Sequence, residues 1–195
     1  MANQDAPFGF VPVKMQGGAP FSGGQTEYGI ATTASGNMFS GDLISLRNTG
    51  TVLVSAAGDL NIVGVFNGCF YTDTNGKPQY VKYWPTGTTS TDAVAFIIDD
   101  PNVIFEGQED SSDLAIVDIG QNNDFIATAG STTTGRSGHE IDSSATTDGT
   151  AGLRIVAKST DPSNSDVSAA NCNWYVKIFE HINSSSGGKT HHAVS

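Results

Sequence analysis

The feature that most constrains this chain is residues 93–110. There the apolar run Ala93-Val94-Ala95-Phe96-Ile97-Ile98 is cut by Asp99-Asp100-Pro101-Asn102 and resumes as Val103-Ile104-Phe105. Proline fixes φ and donates no backbone hydrogen bond, while Asp and Asn favour turns, so no helix runs through the break. The flanks are β-branched and aromatic, which suits strands. The stretch therefore reads as two strands around a proline turn, closed by the acidic run Glu106-Gly107-Gln108-Glu109-Asp110.

The rest of the chain agrees. Val and Ile together supply 27 residues against six Leu, and Gly, Ser and Thr supply 63 of 195, a balance that favours short strands and turns over helices. From Tyr28 onward, turn residues recur every eight to twelve positions, the spacing of a sandwich or barrel. Strands are expected over 28–33, 43–46, 52–56, 62–66, 68–72, 80–84, 114–117, 125–128, 153–158 and 174–181. Asp73-Thr74-Asn75-Gly76 is the strongest hairpin, since Asn-Gly tolerates positive φ. The expected fold is all-β: a single β-barrel or β-sandwich, β-tulip or jelly-roll-like, over residues 28–183. Polar connections over 129–150 and 159–171 and a flexible tail over 184–195 complete it.

Residues 1–27 are expected to form an extended arm, because Pro7, Pro12, Pro20 and two Gly-Gly pairs forbid regular helix and a central strand. Phe8, Phe10, Val11, Val13 and Phe21 are its apolar anchors, to be buried on this domain or on a neighbouring subunit. In the last strand, Trp174, Val176 and Ile178 alternate with Lys177, but Tyr175 and Phe179 make the second face partly apolar. That face either meets another copy of the chain or is buried within a sandwich.

A net charge of −11 with only nine Lys and Arg argues against a protein that coats nucleic acid. No apolar run reaches the roughly 20 residues of a membrane span, and no basic, apolar leader opens the chain. Cys69 and Cys172 have no metal or redox spacing and read as two buried thiols, with a disulfide between them left open.

Chemistry-bearing patterns are sparse. His139-Glu140 lacks the second histidine of a zincin helix, since Ser143 stands there, and Gly135-Arg136-Ser137-Gly138 lacks the spacing of a nucleophile elbow. Asp99, Asp100, Glu106, Glu109, Asp110 and Asp113 offer paired carboxylates, though acids at strand ends are ordinarily solvated gatekeepers. Tyr71, Tyr80, Tyr83 and Trp84 around the hairpin suit either cross-strand packing or a sugar-stacking surface. A carbohydrate-binding or hydrolytic module with Trp84 and those acids at its centre is the rival reading. No cofactor, metal or catalytic residue is implied.

The opening Met1-Ala2-Asn3-Gln4-Asp5-Ala6-Pro7-Phe8-Gly9-Phe10-Val11-Pro12-Val13 and the 93–110 segment resemble, in a shared order, a family of small virion structural proteins of tailed bacteriophages. Asp118-Ile119-Gly120-Gln121-Asn122, Ser143-Ser144-Ala145-Thr146-Thr147, Leu153-Arg154-Ile155 and Asn173-Trp174-Tyr175-Val176-Lys177-Ile178 resemble its later segments. Residues 31–92 match only in general pattern. The resemblance implies a non-enzymatic capsid decoration, or cement, protein on the outside of the head, with a minor tail or head-fibre component as the alternative. Its implied partners are the major capsid protein and further copies of itself, most simply as a trimer. The acidic charge fits a surface turned away from packaged DNA.

Overall fold

A computed structural model describes residues 3–31, 34, 36–146 and 151–184. The strands are β1 (Val11–Met15), β2 (Thr26–Ile30), β3 (Met38–Phe39), β4 (Leu43–Leu46), β5 (Thr51–Val54), β6 (Ile62–Thr72), β7 (Pro78–Val81), β8 (Tyr83–Trp84), β9 (Val94–Ile98), β10 (Val103–Gln108), β11 (Asn122–Ile126), β12 (Glu140–Thr146), β13 (Leu153–Lys158) and β14 (Asn173–Ile178). Among the described residues the one helical element is a 3-10 turn, Ile116–Asp118.

The strands form two six-stranded sheets and a small β3–β8 pair. The first sheet runs β1-β10-β14-β13-β11-β12 and is antiparallel throughout. It curls on itself, because Glu109, just past β10, bridges to Ile141 of β12 and Asp110 N donates to Ile141 O at 3.1 Å. The second runs β4-β5-β2-β9-β6-β7, and an added β4–β6 pairing closes five of its strands into a barrel.

Neighbouring residues along β4, β6 and β9 feed two cores, with the parity of β6 reset where its pairing is irregular around Val63 and between Phe66 and Gly68. Ile44, Val63, Phe66 and Ile97 join Cys69, Trp84 and Val52 in one cluster; Leu43, Ile62, Val65 and Ile98 join Phe105, Phe125, Trp174 and Val176 in the other. Successive strand residues point to opposite faces, so these strands are apolar on both.

The all-β expectation holds, and Leu43–Leu46 and Leu153–Lys158 are strands over the residues anticipated. The Asn75-Gly76 hairpin joins β6 to β7 with Tyr71 opposite Gln79. The two runs of 93–110 are strands around the proline turn, as expected; β9 belongs to the barrel and β10 to the first sheet, so the turn carries the chain from one layer to the other. Other expectations need correction. Residues 62–72 are one strand, with a register shift between Phe66 and Gly68 where a turn was expected. Residues 114–117 leave the sheet, with Leu114 buried and Val117 82% exposed on the 3-10 turn. The expected polar loop 129–150 contains β12, whose single Ile141 enters the core. Of the tail, 185–195 lie outside the described residues, as do Thr32 and Thr33 of the first expected strand.

The structure does not set residues 1–27 apart as an arm. β1 pairs with β10, and Phe10, 1% exposed, sits in the core of its own domain. The cause is a gap in β10: a Cβ on Gly107 would stand 2.8 Å from the Phe10 ring, so glycine makes the room that the ring fills. Replacing Phe10 by Ala should therefore cost about 3–5 kcal/mol in urea unfolding, as core Phe truncations do. Val13→Ala, at a half-exposed site, should cost under about 1 kcal/mol. Similar small costs at both positions would mean that β1 is not integral to the fold.

Candidate functional site

The N-terminal segment is fastened along its length by side-chain amides. Asn3 Nδ2 faces the carbonyl oxygens of Asp166, Ala169 and Ala170 at 2.8–3.0 Å. Asn164 and Gln108 then grip the next residues: Gln4 N donates to Asn164 Oδ1 (3.0 Å), both amide groups donate to Gln4 O (2.8 and 3.0 Å), and Ala6 N donates to Gln108 Oε1 (3.0 Å). At Gly9, φ of 73° lets the backbone cross against Ser137 and Gly41 where a Cβ would collide with both. Phe10 N donates to Gly41 O and Ser137 N to Ser40 O, each at 2.9 Å, so three distant segments are joined at one crossing.

Below that crossing lies a buried group that sequence spacing could not assemble: Asp42, Ser137 and His139. Leu43 N donates to His139 Nδ1 at 3.3 Å, which places the imidazole proton on Nε2, facing Asp42 Oδ1 at 3.5 Å. Asp42 Oδ2 accepts from Phe39 N at 2.7 Å. Burial pushes Asp42 up to about 6 and His139 down to about 4, so at neutral pH a carboxylate faces a neutral imidazole. The residue types are those of a nucleophilic triad, but the connectivity is not. Ser137 bonds to the carboxylate and takes a hydrogen bond from His139 N (2.9 Å), while both imidazole nitrogens face other partners. In a triad the imidazole must receive the serine proton. The group ties β4 to the 137–139 segment.

The expected anchors are dispersed. Phe10 and the half-buried Phe21 belong to the first sheet's core, Phe8 lines a shallow groove of about 430 Å³ with Pro7, Arg136 and Ser137, and Val11 and Val13 stand 42% and 38% exposed on edge strand β1. Tyr175 and Phe179 lie half-buried beneath cations, with Lys14 Nζ 5.1 Å from the Tyr175 ring centre and the Arg154 guanidinium 4.3 Å from that of Phe179. These cation–ring contacts were not legible in sequence, because they join residues 25 and 161 positions apart.

Of the aromatics named for the rival sugar site, Tyr80 is exposed but Trp84, its intended centre, is not. Trp84 is fully buried with the Tyr71 ring edge-on at 5.3 Å, and Tyr83 stacks on Phe39. The acids are separately engaged: Asp99 accepts from Thr26 Oγ1 and Tyr28 Oη, Asp100 from Asn102 N, Glu106 from Ser159 Oγ, and Asp110 from Ser143. Among the described residues no three His, Cys, Asp or Glu side chains gather as a metal site, and no helix is long and apolar enough to cross a membrane. Cys69 and Cys172 are free, buried thiols in separate cores. Compared with protein-family models, curated proteins and solved structures, the chain matches none.

Glu109 is the acid that sequence misjudged, since it is wholly buried inside the curl of the first sheet. Burial pushes it up to about 7 against weaker opposing pulls from the Cys172, Trp174 and Leu114 N–H groups. Between its ordinary value near 4.5 and 7 the folded chain holds a proton that the unfolded chain has lost, so this group withdraws stability as pH rises through that window. His139 and His181, both held near 4 by burial, act oppositely: stability present above about 6.5 is lost as pH falls toward 4. Glu109→Gln should therefore gain on the parent protein by up to about 3 kcal/mol as pH rises from 4.5 to 7, then hold level. Its own profile should fall more steeply on the acid side. Denaturant titrations across pH check this, and a parallel pair of profiles would show that Glu109 is charged in the fold.

Proposed function

We propose that the chain is a non-enzymatic structural protein of a tailed-bacteriophage virion, a decoration or cement protein bound to the outer face of the head. What carries the reading is the ordered resemblance, whose segments fall on β1, the β9–β10 crossover, the turn into β11, and β12, β13 and β14. The major capsid protein is the proposed partner, and further copies of this chain are neighbours on the shell.

The mechanism is adhesion. β1 is the edge strand of the first sheet, bridged by Pro20 only at its Lys14 end, and Val11 and Val13 leave apolar surface at its other end, an arrangement to which a partner's extended segment could add as another strand. Because Phe10 is committed to its own core, the contact falls to these two valines instead of to the whole 1–27 segment. Contacts repeated over several capsid subunits add through effective concentration, so individually weak attachments resist expansion together. The charge of −11 favours the outer face, away from packaged DNA.

Heads assembled without this chain should form but release DNA at a lower temperature, and purified protein added back should restore the loss. A Val11→Asp, Val13→Asp double variant should melt within a few degrees of the parent protein yet bind heads about tenfold or more weakly, since a carboxylate placed in an apolar contact costs more than 1.4 kcal/mol. Point substitutions are required because truncation would also remove Phe10. Stripped heads as heat-stable as intact ones would overturn the proposal.

A further inference from the structure

The outer surface of the curled first sheet is divided by charge. On β14, Trp174, Val176 and Ile178 face the core, which turns Tyr175 and Lys177 outward; on β13, Leu153 and Ile155 do the same for Arg154. Arg154 and Lys177 stand directly opposite one another, and Lys14 lies over Tyr175. Three of the chain's nine Lys and Arg thus share one arc of a protein carrying −11. Glu106, also outward beside Tyr175, is occupied by Ser159 and Asn173.

These cations are held in place. Lys177 Nζ donates to Gln16 Oε1 at 2.6 Å, Arg154 Nε to Asn122 Oδ1 at 2.9 Å, and two of the three lie on aromatic rings. Among the described residues none of the three forms an ion pair with a carboxylate. Like charges directly opposite across strands are unfavourable, so the Arg154–Lys177 pair carries a cost that no carboxylate among the described residues offsets by an ion pair.

The other arc, on β11 and β12, is acidic. Phe125 and Ile141 face the core, so Asp124, Glu140 and Asp142 alternate away from it. Burial pushes Asp124 and Glu140 up, and like charge adds to it, from Asp142 on Asp124 and from Asp5 and Asp110 on Glu140; Asp124 accepts from Phe125 N and Asp142 from Ser144 N.

We infer that the Lys14–Arg154–Lys177 arc docks onto the Asp124–Glu140–Asp142 arc of a second copy of this chain. The occupant is argued from charge complementarity: one molecule carries both a pre-positioned cationic surface and the acidic surface that would neutralise it, on different strands of one curled sheet. Such a contact is heterologous, head to tail, and closes into a ring when the rotation between copies permits, which is the geometry of a trimer. Tyr175 and Phe179 then lie beneath the contact as the platforms for its cations. The inference rests on the proposed function only for its setting on a phage head; self-association is read in the purified protein.

The test uses sedimentation of the full chain with paired charge reversals. The parent protein should associate at about 0.05 M salt and weaken at least about tenfold by about 0.5 M, as screening of exposed ion pairs demands. An Arg154→Glu, Lys177→Glu variant and a Glu140→Lys, Asp142→Lys variant should each be monomeric with unchanged melting. Mixed in equal amounts they should pair again, each acidic variant with a cationic one, while a three-membered ring stays open because alternation cannot close it. A parent protein monomeric at every salt concentration, or an oligomer indifferent to both salt and reversals, would overturn the inference. Reversed, monomeric protein that still binds heads would leave both this contact and the head-binding proposal standing. An intact, salt-sensitive oligomer that ignores heads would overturn the head-binding proposal alone.

Discussion

Ile44, Val63, Phe66 and Ile97 press into the barrel while their neighbours Leu43, Ile62, Val65 and Ile98 press into the space under the first sheet, so strands β4, β6 and β9 form one wall with apolar packing on both faces. Each such side chain is worth about 1.5–3 kcal/mol when fully buried. A slip of one residue would exchange the two sets, but both destinations are already filled at close packing. Register in these strands is therefore fixed from two sides. The proline turn follows from it: Ile98 already faces the second core, and Asp99–Asn102 needs only to carry the chain across to Val103 in the same cluster.

The wall also explains how the N-terminus is used. The curled sheet leaves an opening beside β10 where Gly107 presents no side chain, and Phe10 fills it from the first strand. Bringing Phe10 there takes the chain over the Ser40–Gly41 corner, which only glycine at position 9 permits. The crossing then buries Asp42, Ser137 and His139, whose polar atoms turn to one another and to the Phe39 and Leu43 N–H groups, with Asp42 Oδ1 left facing His139 Nε2 at 3.5 Å. A constellation with the composition of an active site is thus produced by packing, with its hydrogen bonds directed at backbone instead of at a reactive centre.

What was legible in the sequence was local. Leu153–Lys158 and the Asn75-Gly76 hairpin were visible because alternation and turn chemistry act within a few residues. The layer to which each run belongs was not: two apolar strands four residues apart look like a hairpin, and only the packing of Phe105 against Val176 and of Ala95 against Cys69 parts them. β12 escaped notice because a strand with one apolar residue, Ile141, in a polar run resembles a loop. Among the candidate interaction residues, Tyr175 and Phe179 stand out in the sequence by their apolarity on an otherwise alternating strand. Their cations do not, since Lys14 and Arg154 reach them only through strand order.

That strand order gives the surface its asymmetry. A scattering of nine cations among twenty acids would give a diffuse field, useful for solubility and little else. Antiparallel pairing of β13 with β14, and of β1 with β10 alongside, instead collects Lys14, Arg154 and Lys177 on one arc, and the β11–β12 pair collects carboxylates on the next. The separation survives because the core fixes parity: with Leu153, Ile155, Val176 and Ile178 inward, Arg154 and Lys177 have no alternative but to face out, and to face each other. Repulsion between them is small against the apolar burial that imposes it, so the fold tolerates it. An acidic partner would relieve such a surface, which is the basis of the docking inferred above, and the β11–β12 arc of this chain has the matching charge.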